Sequence, residues 1–248
     1  MHKFFVEPSE IAEGIVTIEG EDVKHIYKVL RLKVGDIVNI NDCNGTEYNA
    51  KLTSIDKKEV KAEIIETLDS NNESPIKIVL YQGMPKATKM DYIVQKGTEV
   101  GINAFIPVNT ERVVVNTSEF KKLDRLNRIA KEAAKQSKRT IIPKVHEPIE
   151  FEELLKELEE YSLIVVPYEN AENFGIKNLA KGVKKEEVDS VAIIIGPEGG
   201  FEDSEIERLK SINAHIVTLG PRILRTETAG VVCASLIMYE LGDMGGSL

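Results

Sequence analysis

The sequence predicts an α/β fold, a mostly parallel sheet with helices on both faces, preceded by a small β-rich domain. Three observations predict it. From residue 76 onward, short apolar runs alternate with amphipathic stretches, the pattern of parallel strands joined by helical crossovers. Residues 1–70 hold short strand-like segments separated by tight turns, the pattern of a small barrel. Between them Ser70-Asn-Asn-Glu-Ser-Pro75 is polar and ends in proline, which marks 71–75 as a linker.

In the first domain the strands are expected over Gly14–Ile18, Asp36–Ile40, Glu47–Ile55 and Val60–Ile65. Asn44-Gly45 is a hairpin signal, because both residues tolerate positive φ. One helix is expected over Asp22–Leu30, with Val23, Ile26, Tyr27 and Leu30 on one face. In the second domain the expected order is strand Ile76–Tyr81, helix Thr88–Val100 ended by Gly101, strand Ala104–Val108 and a long helix Ser118–Ser137. Strand Ile141–Val145, helix Phe151–Glu159 and strand Leu163–Pro167 follow. Strand Val191–Ile195, helix Ser204–Ile212, strand Ile216–Leu219 and helix Thr228–Leu241 complete it. Ser204-Glu-Ile-Glu207 reads as a capping box. The last helix is nearly all apolar, so it is expected to be buried on most sides.

The chain has 248 residues, 42% of them hydrophobic, enough for a sizeable core. No apolar run approaches bilayer length and the first residues lack a signal-peptide core, so a soluble cytoplasmic protein is expected. Cys43 and Cys233 have no Cys-x-x-Cys partner, and His2, His25, His146 and His215 show no ligand spacing, so no metal is expected. The net charge of -9 is unevenly spread. Residues 1–72 hold 9 basic and 14 acidic residues, 73–145 hold 14 and 7, and 146–248 hold 9 and 20. The basic middle is a candidate polyanion footprint, or simply a solvated helix face. It includes Lys86 and Lys89 before one helix. It also includes Lys121, Lys122, Arg125, Arg128, Lys131, Lys135, Lys138 and Arg139 along the long one. His25, Lys28, Arg31 and Lys33 form a smaller patch in the first domain.

Two loops carry most of the information. Ala192-Ile-Ile-Ile-Gly-Pro-Glu-Gly-Gly-Phe201 and Ile216-Val-Thr-Leu-Gly-Pro-Arg-Ile-Leu-Arg-Thr-Glu-Thr-Ala229 each run from a strand through Gly-Pro into a helix. Ligands of open α/β sheets bind outside the carboxyl ends of the strands, so two such loops suggest one pocket. Gly199 and Gly200 allow positive φ and close approach of a ligand to the backbone. Ile223 and Leu224 can clamp an apolar ring, and Thr226 or Thr228 can cap the last helix. Arg222, Arg225 and Glu227 at its mouth suggest chemistry, although Arg225–Glu227 or Arg222–Glu198 would also serve as structural pairs. Gly-x-Gly-x-x-Gly, P-loop and Gly-x-Ser-x-Gly motifs are absent, which disfavours a Rossmann dehydrogenase, an ordinary Rossmann methyltransferase and a P-loop enzyme.

These loops resemble those of the RsmE-type ribosomal RNA uridine N(3) methyltransferases of the SPOUT superfamily. The likeness extends to Gly83-Met-Pro-Lys86, Gln95-Lys-Gly-Thr-Glu-Val-Gly101, Ile106-Pro107, Glu111-Arg112 and Glu132-Ala-Ala-Lys-Gln-Ser-Lys-Arg139. His25-Ile-Tyr-Lys-Val-Leu-Arg31 with Gly35-Asp36 is similar to the family's N-terminal domain. The resemblance implies a PUA-like β-barrel over 1–70 and a SPOUT domain with a C-terminal trefoil knot over 76–248. It implies a homodimer that binds S-adenosylmethionine and methylates one uridine of 16S rRNA in the assembled small subunit. The cofactor residues it implies are Val166, Pro167, Tyr168, Glu169, Ile195, Gly196, Pro197, Gly199, Gly200, Leu219, Gly220, Ile223, Leu224, Thr226 and Thr228. Arg225 and then Arg222 would stabilise the uracil anion, and Glu198 and Glu227 would handle the proton or hold those arginines. His25, Lys28, Arg31, Lys86, Lys89, Arg112, Arg128 and Arg139 would meet RNA. Two other readings share the motifs: a SPOUT methyltransferase for another rRNA or tRNA site, and a non-catalytic RNA-binding assembly factor.

Overall fold

The computed structural model describes residues 2–69, 72–86, 88–113 and 123–246. The chain forms two compact units, residues 1–73 with 138–142, and residues 74–137 with 143–248.

The first unit is a six-stranded sheet of β1 (Lys3–Phe5), β2 (Ile11–Ala12), β3 (Ile15–Glu19), β4 (Ile37–Asn41), β5 (Glu47–Ile55) and β6 (Glu59–Leu68). The order is β1-β4-β5-β6-β3-β2, antiparallel except between β1 and β4. Alternate residues point inward: Val16 and Ile18, Val38 and Ile40, Ala50 and Leu52, Val60 and Ala62 are all buried. They share a single core with Phe4, although β1 and β3 stand far apart in the sheet order, so the sheet coils around its own interior. Two register irregularities in β5, at Asn49/Ala50 and Leu52/Ser54, bend that strand. The hairpin expected at Asn44-Gly45 joins β4 to β5, with Gly45 at φ 101. The single helix expected over 22–30 is two pieces, α1 (Glu21–Lys24) and a π-helical run His25–Leu30 that ends at left-handed Arg31. Its Ile26 is buried in the core while His25, Lys28 and Arg31 are exposed.

Residues 138–142 correct the sequence reading. A strand was expected from Ile141, but only Lys144–Val145 is extended in the second sheet. Arg139 instead donates to Glu73 at 2.6 Å, and the Thr140 and Ile141 amides donate to the same carboxylate at 2.8 and 3.1 Å. Arg139 is only 3% exposed, so it is a structural ion pair and not part of an RNA-facing stripe. Lys138 also leaves the stripe, since it follows the end of the helix in a left-handed conformation.

The second unit holds one parallel sheet. Its elements are β7 (Lys77–Gly83), α2 (Lys89–Glu99), β8 (Ala104–Asn109), α3 (Leu123–Ser137), β9 (Lys144–Val145), β10 (Ile149–Glu150), α4 (Phe151–Glu157), β11 (Leu163–Pro167), α5 (Ile176–Gly182), β12 (Ser190–Ile195), α6 (Asp203–Ser211), β13 (His215–Val217) and α7 (Thr226–Glu240). The order is β10-β8-β7-β12-β11-β13, with β9 beside β8. The start expected for α3, with Lys121 and Lys122, lies outside the described residues. Helix α5 was not anticipated; seven residues are too few to display a hydrophobic period. The capping box of α6 is formed by Glu202 and Glu205, not Ser204 and Glu207. Helix α7 packs on α2, α5, β7 and β12. Gly230, Cys233, Ala234, Ile237 and Met238 are buried, but Val231, Val232 and Leu236 are only partly covered and Tyr239 is exposed, so the helix is not enclosed as expected.

Breaking a buried ion pair by removing one partner costs about 3–5 kcal/mol. Glu73→Ala is therefore expected to destabilise the first unit by roughly that amount. Loss of hydrogen-exchange protection over residues 138–142, with a lower urea midpoint, is the measurement; unchanged protection would contradict the assignment.

Candidate active site

Strands β11, β12 and β13 lie side by side and run parallel, so the loops that follow them leave from one edge of the sheet. Those loops enclose a cleft of about 890 Å³. The loop after β11 forms one wall. It is tied to β13 by Tyr168 N–H to Val217 O at 3.0 Å and by a bridge between Gly175 and Thr218. The turn 196–200 forms the second wall. Gly200 adopts φ +70 and closes the turn by donating to Pro197 O at 3.0 Å. A side chain there would meet Glu169 Oε1 at 2.7 Å. The third wall is the segment 218–226.

Thr226 fixes the second and third walls to the sheet. Its buried hydroxyl donates to Gly196 O at 2.6 Å and accepts from Gln82 Nε2 at 2.8 Å, at the end of β7. This hydroxyl does not cap α7, as the sequence suggested. The capping position is Arg225, which makes no side-chain cap bond, and Thr228 makes none either. Beside the same junction, Gly83 lets the Pro197 backbone approach; a Cβ at residue 83 would lie 2.5 Å from Pro197 N.

Most of the anticipated cofactor residues line the cleft: Pro167, Tyr168, Glu169, Ile195, Gly196, Pro197, Gly200, Leu219, Gly220, Ile223, Leu224 and Thr226. Three do not. Val166 is fully buried in the core, Gly199 packs against Arg112, and Thr228 lies inside the first turn of α7. Ile223 is 88% exposed and stands at the cleft mouth. Ala171, Glu172 and Asn173 also line the cleft. They were missed because the polar stretch before α5 carries no periodicity.

The charged groups are arranged differently from the pairs considered above. Lys89 Nζ lies 2.9 Å from Glu198 Oε1 and 3.2 Å from Glu227 Oε2. Glu198 also accepts the Lys86 amide at 3.0 Å. The bond to Glu198 is the main influence raising the Lys89 pKa. Burial pushes the Glu198 carboxyl up, but the Lys89 ammonium and the Lys86 amide outweigh it and hold the group below its ordinary value. This brace is therefore complete at neutral pH and is lost on the acid side as Glu198 is protonated, below the usual carboxylate range. Lys89 is thus committed to carboxylates. Arg112 is likewise committed, to Glu202 at 2.7 Å and to the Gly199 carbonyl at 3.0 Å. Arg225 differs: its side chain is 83% exposed and its nearest carboxylate, Glu227, is 4.0 Å away. Arg222, Lys86 and Arg128 are exposed. Among the described residues no cluster of His, Cys, Asp or Glu could hold a metal ion.

A family model described as "RNA methyltransferase domain" matches residues 72–238, and one described as "RNA methyltransferase PUA domain" matches 18–65. The chain is 38% identical to ribosomal RNA small subunit methyltransferase E of Bacillus subtilis (strain 168), over 97% of each chain. This chain belongs to the ribosomal RNA small subunit methyltransferase E family. A Synechocystis member is 32% identical over 95% of this chain and 77% of its own length. The fold matches the structure of a ribosomal RNA small subunit methyltransferase E from Neisseria gonorrhoeae bound to S-adenosyl methionine. That match has a TM-score of 0.83 and 30% identity, covering 98% and 99% of the two chains. The methyltransferase E cleft of this chain suits such a cofactor. Its volume is within the range of small-molecule sites, with apolar Ile195, Leu219 and Leu224 beside the carboxylates Glu169 and Glu172.

Thr226→Val removes a donor and an acceptor from a buried junction and is expected to destabilise the second unit by about 1–3 kcal/mol. A denaturant midpoint equal to that of the wild type would rule out this role for the hydroxyl.

Proposed function

We propose that the protein transfers a methyl group from S-adenosylmethionine to ring nitrogen 3 of one uridine in 16S rRNA of the small ribosomal subunit. The observation that carries this reading is the three-walled cleft at the carboxyl ends of β11, β12 and β13, in a chain that aligns end to end with a cofactor-bound methyltransferase E. When bound, S-adenosylmethionine supplies a methyl group that is already electrophilic.

The chain's own residues then have two tasks. The first is to hold and orient. Backbone groups of 196–200 and 218–226 and the side chains of Ile195, Leu219 and Leu224 form the cofactor surface, fixed to the sheet through Thr226. The second concerns the base. Uracil N(3) carries a proton on its pairing edge, so the base must be unpaired and the developing anion stabilised. Arg225 is the cation for that role, since its charge is exposed at the cleft mouth and only loosely met by Glu227. Arg222 stands beside it as the second cation. Glu198 is engaged by Lys89 and the Lys86 amide, while Glu227, which also meets Lys89 at 3.2 Å, lies 4.0 Å from Arg225.

The wider setting belongs to the same reading. The partly covered apolar face of α7, with Val231, Val232, Leu236 and Tyr239, suits a second copy of the chain, giving a homodimer. β12 lies between β7 and β11, and after β13 the chain returns to pack α7 on β7 and β12; this order supports a trefoil knot. RNA would meet the exposed His25, Lys28 and Arg31 of the first unit and Arg128 and Lys86 of the second. No helix among the described residues is long and apolar enough to cross a membrane; a cytoplasmic protein acting on assembled small subunits is part of the same reading.

Mass-spectrometric mapping of ribosomal RNA with and without the protein is expected to find one 3-methyluridine that depends on it; methylation confined to tRNA would overturn the substrate. Arg225→Ala is expected to lower turnover by at least about 100-fold, the scale for losing one preorganised charge-stabilising group, with cofactor affinity kept. Near-normal turnover would remove Arg225 from the mechanism. Charge reversal at Arg31 or Arg128 should weaken RNA binding and reduce its salt slope by roughly one unit; an unchanged slope would mark these residues as solvated surface.

A further inference from the structure

Helix α2 begins at the edge of the cleft, and its first residue, Lys89, sits between two carboxylates from different parts of the chain. Glu198 belongs to the turn after β12, and Glu227 to the first turn of α7, where a helix N-terminus favours negative charge. The ammonium meets both, at 2.9 and 3.2 Å. A lysine serving a phosphate backbone would need its charge available; this one is shared by two anions. One side chain therefore ties three elements together: α2, the second wall of the cleft and the start of the last helix. It also has an electrostatic effect. Without it the two carboxylates would be left without their shared cation, and Glu227 is already 4.0 Å from the Arg225 guanidinium. Resting on the methyl-transfer reading, we propose that Lys89 is a positioning residue. It holds the turn 196–200 to the start of α7 and neutralises Glu198 and Glu227, so that Arg225 stays turned toward the substrate.

The test uses the full chain with S-adenosylmethionine and with small ribosomal subunits lacking the modification. Lys89→Met is expected to weaken cofactor binding by calorimetry roughly tenfold and to lower kcat at saturating cofactor by a further factor of about ten. The charged groups lining the cleft with Glu198 are Lys89, Glu169, Glu172, Arg222 and Arg225, with Glu227 across from Lys89. Because Lys89 helps hold Glu198 ionised, its removal raises the pH at which Glu198 protonates, and the variant's deficit relative to the wild type is expected to shrink as acid discharges the carboxylate that competes for Arg225. Lys89→Arg keeps the charge and should restore most of both affinity and pH profile. Thermal melting checks folding, and Lys89→Gln carries the same comparison if Lys89→Met melts early. Wild-type affinity, kcat and pH profile in the neutral variants would overturn the proposal. So would a loss confined to RNA affinity with a shallower salt slope, which would make Lys89 a phosphate contact. If the wild type itself neither binds S-adenosylmethionine nor methylates rRNA, the methyl-transfer reading fails and takes the Lys89 role with it. Wild-type binding and turnover beside an indifferent Lys89→Met sink the Lys89 role alone.

Discussion

The site depends on β12 pairing with β7 on one side and with β11 on the other. Six consecutive residue pairs, from Ser190 and Lys77 to Ile195 and Gln82, join β12 to β7. Chain order and sheet order differ here, and that difference gathers the loops. The exits of β11, β12 and β13 come to one edge, and Gln82 is delivered beneath the start of α7. The Thr226 hydroxyl then binds the loop and helix to the sheet. Such a buried bond has little water to compete with it, so the geometry it sets is firm.

Above that fixed floor the charges are sorted by commitment. Lys89, Glu198 and Arg112 are spent on neighbours within the protein, and their bonds hold loops in place. Arg222 and Arg225 stand exposed at the mouth. A transition-state charge is best met by a group that is held in position yet not already neutralised. The acidic balance of the chain, -9 overall, does not oppose an RNA partner, because the exposed cations cluster locally while much of the acid lies in the terminal third.

Local patterns gave most of the strand and helix order of the second unit, where the longer elements are apolar runs or amphipathic stretches; the short β10 and α5 left no such pattern. The strands Glu47–Ile55 and Leu163–Pro167 appear with the bounds expected from sequence. What could not be read depends on distant contacts. Arg139 looked like the end of a basic stripe, because Glu73, its partner, lies 66 residues away. Lys89 looked like a phosphate ligand for the same reason: its carboxylates arrive from two separate loops. Family likeness supplied the three loops of the cleft, yet it could not tell that Val166 and Gly199 face away from it. Val166 lies within β11, packed into the core, and Gly199 backs onto Arg112; such packing leaves no mark in composition.

The first unit is discontinuous in sequence, and this bears on how the protein is made. Residues 1–73 emerge first during synthesis, but the segment that satisfies Glu73 and pairs with Asn44 comes only at 138–142. Until then a buried carboxylate site stands open to water, and the unit cannot reach its final stability. Folding that proceeds domain by domain from the N-terminus is thus interrupted here. The N-terminal module reaches its final stability only after β7, α2, β8 and α3 have been synthesised, so the two units are coupled in the timing of their assembly.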